Sequence, residues 1–164
     1  MKGSGYILFG SAVAGADLLL KNRTEEKLER NEEKEILGGC ILYRNVRNYG
    51  LVMNKFEKYP KAVSLISATA LLMLGAAGAR VLGKGGHALE KTGFAMMAAG
   101  AVSNNYDRMK RGYVLDYIGF PMKDKKLAGV TYNLADFSLI AGAVLLLIGN
   151  LLSPVKTPAP RNGN

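Results

Sequence analysis

The sequence predicts a mainly α membrane protein, with four transmembrane helices and a small extramembrane β-sheet between the first and the second. Three observations lead there. Charge is strongly segregated: Asp, Glu, Lys, Arg and His are absent from residues 62–79, 92–106 and 137–155, and Asp17 is the only one of them in 3–20. Each of these stretches approaches or meets the roughly 20 apolar residues that a helix needs to cross a bilayer core. Between the first two lies a segment of different character, in which β-formers alternate with glycines. The mean hydropathy of +0.07 is therefore an average of two populations.

The first helix is expected at about 3–21. Lys2 followed by an apolar run and Ala14-Gly15-Ala16 also fits a cleavable signal peptide. Leu18, Leu19 and Leu20 carry the apolar run past that point and favour a retained helix. Residues 22–36 are crowded with Glu25, Glu26, Glu29, Glu32, Glu33 and Glu35 among basic residues. Glu25–Glu29, Glu29–Glu33 and Arg30–Lys34 are like-charged at i,i+4 spacing, so a water-exposed connector is expected there. From Ile36 to Val52, Ile41, Leu42, Tyr43, Val46 and Tyr49 sit among Gly38, Gly39 and Gly50, the pattern of short strands joined by glycine turns.

The second helix is expected at about 61–80, the third at about 87–106 and the fourth at about 132–153. The extramembrane segment would span about 22–60, and 107–131 would be a second polar connector. Small residues (Gly75, Ala76, Gly78, Ala79; Ala98, Ala99, Gly100; Ala141, Gly142) mark faces where helices can approach closely in lipid. Residues 1–155 read as a single domain. The tail 156–164, with Pro158 and Pro160, reads as disordered.

Composition removes several chemistries. Cys40 is the only cysteine and His87 the only histidine, so an intrachain disulfide or a histidine-rich centre is excluded. Cys40 is expected to be a buried inert thiol and His87 a surface residue. The net charge of +9 comes without a nucleic-acid-binding motif, and anionic lipid headgroups are the simpler partner.

Polar groups at membrane depth propose function by default. Asp17, Asn104 with Asp107, Asp116, and Asn133 with Asp136 all lie near the ends of apolar blocks. The i,i+3 spacing puts Asn104 and Asp107 on one helix face, and likewise Asn133 and Asp136. If the third and fourth helices run antiparallel, Asp116 and Asp136 meet at one membrane surface. Two carboxylates sharing a site share one proton, which provides an acid and a base together. Such a pair can activate water against a peptide bond.

Three blocks then resemble the signatures of signal peptidase II, the lipoprotein signal peptidase family. They are Asn104-Asn105-Tyr106-Asp107-Arg108, Gly112 to Ile118 around Asp116, and Tyr132 to Asp136. Asp17 and Lys21 match the Asp-x-x-x-Lys of that family's first helix. Asn48 and Gly50 match its Asn-x-Gly, and Gly100 matches a glycine one turn before the third-helix block. The resemblance implies an intramembrane aspartic endopeptidase with Asp116 and Asp136 as the catalytic pair and no metal or organic cofactor. Asn104, Asp107, Arg108 and Asn133 would orient the pair and the substrate, and Asp17, Lys21, Asn48 and Gly50 would shape the substrate entrance. Its substrates would be lipid-modified prolipoproteins, cleaved just before the diacylglyceryl-cysteine. The chain departs from the family pattern at Leu18, at Leu51-Val52-Met53 and at Ser103.

The resemblance also implies a prokaryotic cell-membrane protein with both termini in the cytoplasm. That orientation leaves only Lys2, Arg80, Lys84, Lys91, Lys156 and Arg161 of the 22 basic residues inside, against the positive-inside rule. A non-catalytic four-helix membrane protein that binds lipidated or apolar segments is the alternative reading. A solute carrier built around Asp17 is a third, and it lacks the internal repeat that carriers often show.

Overall fold

The computed structural model describes residues 3–51, 55–83 and 88–152. The chain runs α1 (Gly3–Lys27), β1 (Glu33–Ile36), β2 (Ile41–Asn48), α2 (Pro60–Gly83), α3 (Ala88–Lys110), β3 (Val114–Gly119), α4 (Lys125–Ala128), β4 (Thr131–Tyr132) and α5 (Leu134–Leu152). The tail, His87 and the pair Val52-Met53 lie outside the described residues.

Of the described helices, α1, α2 and α5 are long and apolar enough to cross a membrane. Their large apolar side chains, among them Leu8, Leu65, Leu72, Leu147 and Leu151, point outward. This is the arrangement expected where lipid, and not water, is the neighbour. α3 does not stand with those three, because Glu90 and Lys91 open it and Asn104, Asn105, Asp107, Arg108 and Lys110 close it. It is instead the central helix, packing against α1, α2 and α5.

Glycine makes the α3–α5 packing possible. A Cβ on Gly93 would lie 2.7 Å from the Gly142 carbonyl oxygen, and one on Gly142 would lie 2.6 Å from the Gly93 oxygen. A Cβ on Gly100 would collide with the Ala135 carbonyl. The two backbones are therefore in contact along their length, as small-residue faces allow in lipid.

The sheet has four antiparallel strands in the order β1-β2-β3-β4. It is larger than the sequence predicted. The expected strands between the first two helices are present, and two more come from 114–132, which was expected to be a polar connector to residue 131 and the start of the fourth helix at 132. Val114-Leu115-Asp116-Tyr117-Ile118 is rich in strand formers, and β2 supplies its edge through Asn48↔Val114 and Val46↔Asp116. Gly112, at φ 81°, makes the turn out of α3 that aims β3 back along β2.

Two further expectations are corrected. α1 continues six residues past its expected end at residue 21, because tertiary contacts outweigh the like-charge pairs. Thr24 bonds the Leu20 carbonyl at 2.8 Å and meets the Tyr43 hydroxyl at 2.9 Å, and Glu25 pairs with Arg111 at 2.7 Å. The charged connector thus shrinks to 28–32, with β1 beyond it. Cys40 is exposed, not buried, since it ends the hairpin turn that follows Ile36.

Candidate active site

The sheet and the ends of three helices converge on Asp116 and Asp136. Asp116 sits in β3 and is 4% exposed, while Asp136 sits in the first turn of α5 and is more open. Each carboxylate receives two N–H donors. Asp116 Oδ1 accepts from Asn133 Nδ2 at 2.6 Å, and its Oδ2 accepts from Asn48 Nδ2 at 3.1 Å. Asp136 Oδ1 accepts from Asn104 Nδ2 at 3.0 Å, and its Oδ2 accepts from the Asn133 backbone N–H at 3.1 Å.

The three asparagines share one logic. An amide turns its nitrogen toward an acceptor when its oxygen is engaged elsewhere. Asn48 Oδ1 accepts the Gly50 N–H at 3.0 Å, and Asn133 Oδ1 accepts the Asp136 N–H at 2.9 Å. Asn104 Oδ1 accepts from Lys21 Nζ at 2.8 Å. Each Nδ2 is left facing a carboxylate of the pair.

Asn133 is not on the face of the fourth helix, as its spacing from Asp136 had suggested. It precedes α5 and caps it. Its side chain takes the N–H of Asp136 while Asp136 takes the N–H of Asn133, a reciprocal capping box. The next free donors of that helix are also met. Leu134 N–H donates to the Tyr117 hydroxyl at 3.1 Å, and Ala135 N–H donates to Asp17 Oδ1 at 3.2 Å.

Beneath the pair lies a buried charge network. Lys21 Nζ lies 2.7 Å from Asp17 and 3.0 Å from Asp107, and all three side chains are fully buried. Ser103 donates to Asp17 at 2.6 Å. Asp107 also accepts the Leu115 N–H at 3.1 Å and pairs with Arg111. Charges removed from water are tolerated only when paired and hydrogen-bonded in this way. Asp17 and Lys21 therefore do not face an opening; they brace Asn104 and the start of α5. Asp107 braces β3 and touches neither carboxylate of the pair. Arg108 donates to the Gly50 carbonyl at 3.0 Å and so ties α3 to the loop after β2.

Sequence alone gives no site role to Ser103, Tyr117, Glu25 or Arg111. Arg111 had a local signal, being i+4 to Asp107. Tyr117 had only its place next to Asp116 on a strand. Among the described residues no group of three or more His, Cys, Asp or Glu side chains is placed to hold a metal ion.

Burial pushes the Asp116 carboxyl up to about 7, helped by the neighbouring Asp136 charge and opposed by the amides of Asn48 and Asn133. A carboxyl that keeps its proton near neutrality, beside a second carboxylate, is suited to proton transfer.

Three long apolar helices, with one buried and one half-buried carboxylate brought together at their ends, fit a multi-pass membrane protein. The family model described as signal peptidase (SPase) II matches residues 10–152, and the chain belongs to that family of proteases. The lipoprotein signal peptidase of Lactiplantibacillus plantarum is 29% identical over 89% of this chain and 93% of its own. That of Caldicellulosiruptor bescii is 34% identical over 80% of this chain and 79% of its own. A bacterial membrane enzyme solved by the in meso method at 2.3 Å resolution shares the fold, with a TM-score of 0.77 and 20% identity over 93% of this chain and 95% of that one.

Proposed function

We propose that this protein is an intramembrane aspartic endopeptidase that removes signal peptides from lipid-modified prolipoproteins, cutting before the diacylglyceryl-cysteine. The observation that carries the reading is the pairing of Asp116 and Asp136 through Asn133, with every remaining carboxylate oxygen met by an aimed amide. Family membership supports the substrate class.

In this reading the pair holds one proton, carried by Asp116, whose burial favours the neutral acid. Asp136, the more open partner, takes a proton from water as the oxygen attacks the scissile carbonyl. Asp116 gives its proton to the carbonyl oxygen. As the tetrahedral intermediate collapses, Asp136 gives its proton to the departing amine nitrogen and Asp116 takes one from the intermediate's hydroxyl, which restores the singly protonated pair. The amides of Asn48, Asn104 and Asn133 hold both carboxyls in place, so little reorganisation is needed during the reaction.

α3 is the fourth span in this proposal, its polar end reaching the outer surface where the pair lies. Both termini are cytoplasmic, and membrane lipids surround the chain. Single replacement of Asp116 or Asp136 by Asn, assayed on prolipoprotein in membranes, tests the mechanism. Each variant is expected to lose cleavage, and full activity in either overturns the assignment. Tight substrate binding without turnover by the unaltered protein would instead favour the non-catalytic alternative.

A further inference from the structure

We infer that the Tyr117 hydroxyl is a positioning group that sets the spacing of the two aspartates, joining the strand that carries Asp116 to the first turn of the helix that carries Asp136. The inference rests on the aspartic mechanism proposed above. Successive side chains of a strand point to opposite faces, so Asp116 and Tyr117 leave β3 on opposite sides. The Tyr117 ring is buried, at 3% exposure. Its hydroxyl donates to Asp17 Oδ1 at 2.9 Å and accepts the Leu134 N–H at 3.1 Å.

That one oxygen therefore ties β3 to two other elements, α1 and α5. Asp17 Oδ1, its acceptor on α1, also takes the Ala135 N–H at 3.2 Å. Asp17 Oδ2 is held by Lys21 at 2.7 Å and by Ser103 at 2.6 Å, so it does not swing freely. Leu134 and Ala135 are the first two residues of α5, directly before Asp136. The hydroxyl keeps its proton for Asp17, because burial first and the Asp17 charge second hold it far above the usual phenol range. Phenylalanine would fill the same space but leave the Leu134 N–H unmet and take one donor from Asp17. The start of α5 would then rest on the cap at Asn133 and a single contact to Asp17. Small misplacement of reacting groups is costly, on the order of 100-fold for about 1 Å.

The test uses the full chain in lipid nanodiscs and a synthetic peptide carrying a diacylglyceryl-cysteine. Tyr117→Phe is expected to lower kcat about tenfold or more with KM unchanged, a loss within the range for misplaced catalytic groups. It is also expected to move the alkaline limb of the pH profile, since repulsion between two carboxyls depends on their separation. Tyr113→Phe removes a hydroxyl that donates to Glu25 at 2.5 Å, away from α5, and is expected to leave both readouts at parent values. A Tyr117→Phe protein with parent kcat and parent pH profile, altered only in melting temperature, overturns the inference. Should Tyr117→Phe fail to fold, Leu134→Pro carries the test. It deletes the N–H that meets the hydroxyl at a position where proline suits a helix start, and an unchanged profile there is equally fatal. Asp116→Asn, run alongside, separates the two readings: an active Asp116→Asn removes the mechanism itself. An inactive Asp116→Asn with a parent-like Tyr117→Phe removes only the positioning role.

Discussion

Asn133 and Asp136 exchange backbone and side-chain hydrogen bonds in both directions. The Asn133 N–H donates to Asp136 Oδ2 at 3.1 Å, and Asn133 Oδ1 accepts the Asp136 N–H at 2.9 Å. The unit that starts α5 is thus the unit that presents one of the two carboxylates. Asn133 Nδ2 meanwhile reaches the other at 2.6 Å.

These two duties can be separated. Serine caps helices about as well as asparagine but lacks the amide donor. Asn133→Ser is expected to keep the parent melting temperature within a few degrees and to lose most peptide cleavage. Asn133→Ala is expected to lose cleavage and also about 1 kcal/mol of stability. Thermal melting in detergent, read beside a cleavage assay, distinguishes the two.

The raised Asp116 carboxyl gives a signed pH dependence. Its value rises from 3.8 to about 7 on folding, so the folded state binds that proton more tightly. The stabilisation is complete below about 3.8 and disappears as pH climbs through about 7. The melting temperature of the parent minus that of Asp116→Asn is expected to fall as pH is raised from acid to neutral. Cleavage is expected to decline above about pH 7, as the acid of the pair is lost.

Lys21 is the cation shared by Asp17 and Asp107, and it also aims Asn104. Lys21→Met leaves two buried carboxylates without their common partner. Breaking a buried pair from one side costs about 3–5 kcal/mol. The expected result is a sharply lowered melting temperature and little folded protein in the membrane fraction.

Gly100 and Gly75 are both helical glycines with opposite surroundings. A methyl group on Gly100 meets the Ala135 carbonyl, whereas one on Gly75 meets nothing within 4 Å. Gly100→Ala is expected to push α5 from α3, withdraw Asn104 from Asp136, cost about 1–3 kcal/mol and reduce cleavage at least tenfold. Gly75→Ala is expected to match the parent in both assays.

The exposed Cys40 is the only thiol and lies in the hairpin turn before β2. If both termini are cytoplasmic, as proposed, that turn is on the outer side. A membrane-impermeant maleimide is expected to label the unaltered protein in intact cells or spheroplasts. Labelling only after membrane disruption would reverse the orientation.

The features legible in the sequence were those written in local runs. Apolar blocks, broken only by Asp17 in the first, gave α1, α2 and α5, and the antiparallel return of the chain was enough to bring Asp116 and Asp136 together. What escaped depended on groups far apart in sequence. α1 reaches Lys27 because Glu25 meets Arg111 and Tyr113, which are 86 and 88 residues away. The link from Tyr117 to Asp17 spans 100 residues and carries no period or spacing that marks it. The sequence does not distinguish a helix-face Asn133 from a capping one, because i,i+3 spacing fits a helix interior and a capping box equally well.

Asp136 belongs to α5, the last described helix, and α5 is seated by backbone contact with glycines of α3. During synthesis, Asp116 emerges first and waits without its partner. The pair is incomplete until α5 has been made and has docked against α3. On the proposed mechanism, a polypeptide interrupted anywhere before Asp136 lacks one member of the pair and is expected to be inert.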